Sequence, residues 1–226
     1  MNMLSTWIAA LLIVPATLLP ILNPLSKVPV VAALVAGQPP QVHRRLARQV
    51  AVNCWFLMMG SYLIGSHVLA FFNLSLAVVQ LAGGILIAIT GWRMLSDQQD
   101  DAIPNAVAST CEQGWSEETL KVRSFYPISF PLSVGPGTIS AAITLGASTP
   151  TRLKDWLLTV SAAVLGAFIV VLAIYLCYRH AARLVALLGR LGTIIVLRLS
   201  AFILFCIGID IAWRGLTQLL AGLSAL

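Results

Sequence analysis

Two short runs carry the residue types able to do chemistry in an otherwise apolar chain. The first is Asn23-Pro24-Leu25-Ser26-Lys27-Val28-Pro29, and the second is Pro131-Leu132-Ser133-Val134-Gly135-Pro136-Gly137-Thr138. Proline removes a backbone donor and breaks a helical ladder, so each run leaves orphan N–H groups on one side and orphan carbonyls on the other. After Gly135-Pro136-Gly137 a helical pattern resumes, and its N-terminus, carrying about half a positive charge, is a seat for an anion such as a carboxylate. The glycines permit close approach, Pro136 presets the turn and the Thr138 hydroxyl can donate. In the first run Asn23 and Ser26 supply amide and hydroxyl groups beside Pro24, suited to an ammonium group, a carboxylate or a carbonyl-coordinated cation. The candidate substrate-binding residues are Asn23, Pro24, Ser26, Pro29, Gly135, Pro136, Gly137 and Thr138. These mostly neutral groups suit a small zwitterion better than a bulky or multiply charged solute.

Three ionisable residues in apolar surroundings are candidates for coupling or charge compensation. Asp210, within Ile209-Asp210-Ile211, can carry a proton or help hold sodium, but Arg214 one turn on offers a structural pairing, which is favoured. Lys27 either meets substrate or a carbonyl cluster, or snorkels to the membrane surface. Arg198 reads as an interfacial anchor or a partner for carbonyls in the break. No cofactor is expected beyond a coupling sodium ion or proton. His43, His67 and His180 do not converge, no HExxH or GxSxG occurs, and the four cysteines have no CxxC spacing. Hydrolytic chemistry, zinc and disulfides are therefore not expected.

The elements that must position these residues follow from composition. Of 226 residues, 59% are hydrophobic and 10% charged, with a mean hydropathy of +0.92. That leaves too few polar side chains to cover a soluble globule but suits helices of about 20 apolar residues in lipid. The fold class expected is an all-α membrane protein of six transmembrane helices. The spans are residues 7–37, 51–72 and 74–95, forming a first unit over 1–95, then 125–147, 156–178 and 191–220, forming a second over 123–226. The N-terminal stretch lacks a basic n-region and reads as a first helix rather than a signal peptide. A straight helix over 7–37 would be about 46 Å long, beyond a hydrocarbon core of about 30 Å, and it holds Pro15, Pro20, Pro24 and Pro29, so a broken span is expected. Residues 96–122, with Asp97, Asp100, Asp101, Glu112, Glu117 and Glu118, read as a cytoplasmic linker.

The net charge of +6 comes from scattered basic residues, which excludes a nucleic-acid groove in favour of membrane loops. Arg44, Arg45, Arg48, Arg93, Lys121, Arg123, Arg179, Arg183 and Arg190 fall on one side of the proposed spans, against Arg152, Lys154 and Arg214 on the other. The positive-inside rule places both termini outside the cytoplasm. Partners are membrane lipid and a small-molecule substrate, and the oligomeric state stays open.

Self-comparison adds an internal repeat. Pro-Leu-Ser with a second proline at equal distance recurs from Pro24 to Pro131, and residues 81–89 (LAGGILIAI) align on 199–207 (LSAFILFCI). Three spans per unit make the two copies enter the membrane in opposite directions, the inverted-repeat plan of secondary transporters with broken helices 1 and 4 meeting near the midplane.

Taken together, Asn23-Pro24-Leu25-Ser26-Lys27-Val28-Pro29, Leu81-Ala82-Gly83-Gly84-Ile85-Leu86, Gly135-Pro136-Gly137-Thr138-Ile139 and Arg198-Leu199 resemble the MarC family of bacterial and archaeal membrane proteins, also called the neutral amino acid transporter family. The resemblance implies a six-span inner-membrane protein that transports or exports a small neutral amino acid such as glycine or alanine. Ser26, Lys27, Gln80 and Asp210 depart from the residues frequent in that family, which bears on substrate and coupling ion. A competing expectation is a non-transporting assembly or signalling protein that works through the acidic linker.

Overall fold

The computed structural model describes residues 3–96, 117–150 and 152–223. The linker acids Asp97, Asp100, Asp101 and Glu112 lie outside the described residues. The described residues are helical throughout, without strands, in the order α1 (Met3–Leu22), α2 (Pro24–Leu34), α3 (Pro40–Phe71), α4 (Leu76–Ser96), α5 (Glu117–Arg123), α6 (Pro136–Ala147), α7 (Leu153–Arg179) and α8 (Ala181–Leu223). Between α5 and α6 lies the irregular Ser124–Ser133 segment. Among the described residues four helices are long and apolar enough to cross a membrane, and six spans result if each of two bent helix pairs crosses once.

Both bends fall where proline interrupts the ladder. α1 and α2 meet at 50° around Asn23, whose φ of 44° is left-handed. Pro24 offers no N–H and disfavours a right-handed helical conformation before it, and asparagine tolerates the left-handed one. The Asn23 carbonyl at the bend is satisfied locally, accepting from the Ser26 N–H at 3.1 Å and the Ser26 hydroxyl at 2.8 Å. The second bend is 72°. Tyr126 and Phe130 are extended within the irregular segment, and serines replace lost ladder bonds by reaching back five residues: Ser129 Oγ donates to the Ser124 carbonyl at 2.6 Å and Ser133 Oγ to that of Ile128 at 2.7 Å. Gly135 then leads extended into Pro136, the first residue of α6.

Other boundaries shift from the sequence expectation. α3 begins at Pro40 rather than 51, because a polar first turn can project beyond the apolar core. α5 takes up the end of the stretch read as linker, with Glu117 and Glu118 in its first turn and Lys121 and Arg123 in its last, the order that a helix dipole favours. α8 starts ten residues earlier than expected and is interrupted at Gly189, whose φ of 63° belongs to glycine.

Packing is closest between α4 and α8. A Cβ on Gly84 would run into the Ala212 backbone nitrogen and stand 2.7 Å from the Gly208 carbonyl oxygen; a Cβ on Gly208 would run into the Ala88 nitrogen and stand 2.8 Å from the Gly84 oxygen. Gly91 abuts Phe205 and Ala201, while Gly215 abuts Leu81 and Ala77. The two helices therefore run antiparallel, and their contacts are reciprocal when residues 84–91 (GILIAITG) are matched with 208–215 (GIDIAWRG). This register differs by six residues from the alignment of 81–89 on 199–207, which sets Gly84 against Phe202. Leucine and isoleucine match in many registers, whereas only the glycines and alanines let backbones come this close.

α3, α6 and α7 complete the bundle. Its buried centre includes Leu18, Leu22, Val31, Met58, Ile128, Val170 and Ile174, together with a Tyr178–Ser133 hydroxyl pair at 2.8 Å. Large apolar side chains such as Phe56, Ile64, Phe168 and Leu199 face outward, as lipid rather than water requires.

Candidate functional site

The second break opens onto a cavity of about 290 Å³. Pro131, Leu132, Ser133, Gly135, Pro136, Gly137 and Thr138 form one side, Leu86, Ile87 and Thr90 of α4 another, and Ile21, Lys27 and Leu204 close it. The break places the start of α6 here, so the unpaired N–H groups of its first turn belong to this region. Thr138 and Ser133 are buried. Lys27, half-buried on α2, donates from Nζ to Ser26 Oγ at 3.1 Å, and among the described residues no carboxylate pairs with it. A single ammonium group and a helix N-terminus thus share a small cavity whose lining holds no acid, an arrangement that favours a carboxylate.

Of the eight expected substrate-binding residues, this cavity brings together the four of the second run, with Lys27 from the first. Asn23 and Pro24 line a separate cavity of about 430 Å³ with Leu19, Pro20, Leu25, Ala173, Cys177, Ser200 and Ile203. The 50° bend turns Asn23 to the other side of α2 from Lys27. Asn23 is buried, and among the described residues its Nδ2 has no hydrogen-bond partner, a costly state for a donor. Ser26 is occupied with the Asn23 carbonyl and the Lys27 ammonium, and Pro29 lies in neither cavity. Gly137 is small for packing more than for ligand approach, since a Cβ there would run into the Ile87 side chain.

The charged candidates separate as well. Asp210 Oδ2 accepts from Arg214 Nε at 2.9 Å, with side chains 57% and 71% exposed, which is the structural pairing. Arg198 is exposed and lies in neither break cavity. Asp210 and Arg214 instead line a third cavity, of about 340 Å³, with Thr17, Gln80, Ala141 and Thr144. Gln80 is buried, and its Oε1 has no hydrogen-bond partner among the described residues. This cavity and the one at the second break follow each other along the same four helices, α1, α4, α6 and α8. Leu18, Ser140 and Leu204, all buried, occupy the turns where these helices pass from one to the other.

Ser133, Thr90, Gln80, Thr17 and Thr144 were not among the expected site residues. Ser133 had a signal, as the serine of the second Pro-Leu-Ser. The others sit singly in apolar helices, and only the packing of four helices shows that they share a space.

Long apolar helices, two broken helix pairs and large apolar side chains facing outward define a helical multi-pass membrane protein. Residues 8–220 match the family described as MarC family integral membrane protein, and the chain belongs to that family. Similar proteins include the inner membrane protein MarC of Escherichia coli K12, 28% identical over 205 residues, 90% of this chain and 92% of the relative. That of Salmonella arizonae is 29% identical over 206 residues, with the same coverage. No solved structure matches the chain.

Proposed function

We propose that the protein is a secondary transporter or exporter of a small neutral solute, an amino acid of the size of glycine or alanine, in the bacterial inner membrane. The cavity at the second break carries this reading. At about 290 Å³ it is at the small end of ligand pockets. Its Lys27 ammonium and the first turn of α6 suit the carboxylate of such a solute, while Ser133, Thr90 and backbone carbonyls at the break are acceptors for its amino group.

Alternating access has support in two features. The reciprocal Gly84–Gly208 seam between α4 and α8 is what two inverted halves would produce at their shared axis, and it leaves the broken spans on either side. The polar cavities before and after Leu18, Ser140 and Leu204 are the two compartments between which a solute would pass, the buried turn acting as the closed gate. Both termini lie outside the cytoplasm in this reading, as the loop arginines indicate, and the relatives' names support the inner membrane.

The test is uptake of labelled glycine and alanine into proteoliposomes, with and without sodium and proton gradients. Saturable flux that is accelerated by substrate on the opposite side is expected. No flux across a panel of small solutes would overturn the proposal. If the acidic linker were the working part instead, neutralising Glu117 and Glu118 would abolish the cellular phenotype while substituting Gly137 left it intact.

A further inference from the structure

Two cavities outside the candidate site meet at Arg44. The first, about 630 Å³, runs between the beginning of α3, with Arg44, Arg45 and Arg48, and the end of α7, with Tyr175. The second, about 480 Å³, continues past Arg44 to Arg179 and Arg183. α3 and α7 pack antiparallel, so the basic start of one meets the basic end of the other. Arg179 Nη1 donates to the Tyr175 hydroxyl at 3.0 Å, and Arg44 interacts with the same hydroxyl. Guanidinium groups from two helices thus converge on one oxygen.

Five arginines in adjoining cavities repel one another unless an anion sits among them. Among the described residues their one carboxylate partner is Glu117, 2.9 Å from Arg45, with both side chains largely exposed. Guanidinium forks match phosphate oxygens. Apart from the arginines, Gln41 and Tyr175, the larger cavity is lined by apolar residues, with Val52, Phe168 and Leu172 facing outward at 42%, 57% and 44% exposure. An anionic head beside an apolar wall at the basic end of a membrane span has the chemistry of a lipid. A free phosphate would leave the wall unused, and a phosphocholine head would bring its own cation into the cluster.

We propose that the groove between the start of α3 and the end of α7 is a binding site for an anionic phospholipid, its phosphate held by Arg44, Arg48 and Arg179 and an acyl chain lying along Val52, Phe168 and Leu172. The site is independent of transport.

The test is thermal unfolding of the full chain in detergent, titrated with phosphatidylglycerol, phosphatidylcholine or inorganic phosphate, and repeated with Arg44→Gln/Arg48→Gln/Arg179→Gln and the control Arg152→Gln/Arg214→Gln. Phosphatidylglycerol alone should raise the transition temperature of the parent and the control. At roughly fivefold per basic residue near a charged lipid surface, the triple variant should need about 100-fold more lipid for the same shift. The three arginines are exposed, and should the triple variant not fold, Arg44→Gln alone should weaken binding about fivefold. An equal response of variant and parent would overturn the site, as would a full response to phosphate alone. A response that appears only after Asp97, Asp100, Asp101 and Glu112 are changed to amides would overturn it too, by making the linker the occupant.

Discussion

Replacing Gly84 with alanine tests the close seam between α4 and α8. The added Cβ would stand 2.7 Å from Ala212 Cα and from the Gly208 oxygen, against the 3.4 Å at which ordinary contact begins. The helices must therefore separate by about 0.7 Å or more, and overpacking of this kind costs about 1–3 kcal/mol. Alanine returns about 0.5–1 kcal/mol of helix propensity relative to glycine; because the atoms met are all backbone, the upper part of the overpacking range applies and the net loss is about 1–2 kcal/mol. In a chain of this length that lowers the transition temperature by roughly 2–8 °C, measurable by tryptophan fluorescence on the purified protein in detergent. Gly208→Ala should cost the same, because its contacts mirror those of Gly84. One separation relieves both collisions, so the double variant should fall short of the sum by about 0.5–1 kcal/mol. Gly60→Ala, with nothing within 4 Å of the new Cβ, should be neutral or stabilising. Neutral effects at Gly84 and Gly208, or full additivity between them, would refute the seam.

Three further outcomes are expected in transport assays. Lys27→Met should raise the KM for alanine about 10- to 150-fold, the worth of a charge-assisted hydrogen bond of about 1.5–3 kcal/mol, with a smaller effect on maximal rate; a change under twofold in proteoliposome uptake would remove Lys27 from the site. Gly137→Val should abolish uptake by colliding with Ile87, and Ile87→Ala in the same chain should restore part of it, as measured by initial rates at equal reconstituted protein. Asp210→Asn should change uptake by no more than about fivefold and leave any dependence on a proton gradient in place, because an exposed pair with Arg214 is worth about 0–1 kcal/mol; loss of proton dependence would return Asp210 to the coupling role.

The breaks were legible because proline acts through its own covalent structure. Pro24 and Pro136 both open new helices here, whereas Pro15, Pro20 and Pro29 stay inside α1 and α2, so which prolines break the chain is decided by their surroundings as well. The shared cavity was only half legible. The bend at Asn23 decides which face of α2 turns inward, and it sends Lys27 to the second break while Asn23 faces another space, a rotation that sequence spacing does not encode. The Gly84–Gly208 contact was hidden for a different reason: apolar residues align in many ways, and only backbone proximity separates Gly84 opposite Gly208 from its neighbours. Gln80 is hidden in the same way, being a lone amide in an apolar helix until packing buries it beside Thr17 and Thr144.

The most direct test of the central claim is counterflow of labelled alanine into proteoliposomes preloaded with unlabelled alanine, comparing the parent chain, Gly137→Val and Gly137→Val/Ile87→Ala. The account predicts accelerated exchange in the parent, none in the single variant and partial recovery in the double. Exchange in the single variant equal to the parent, or no exchange by the parent for any small solute tried, would contradict it.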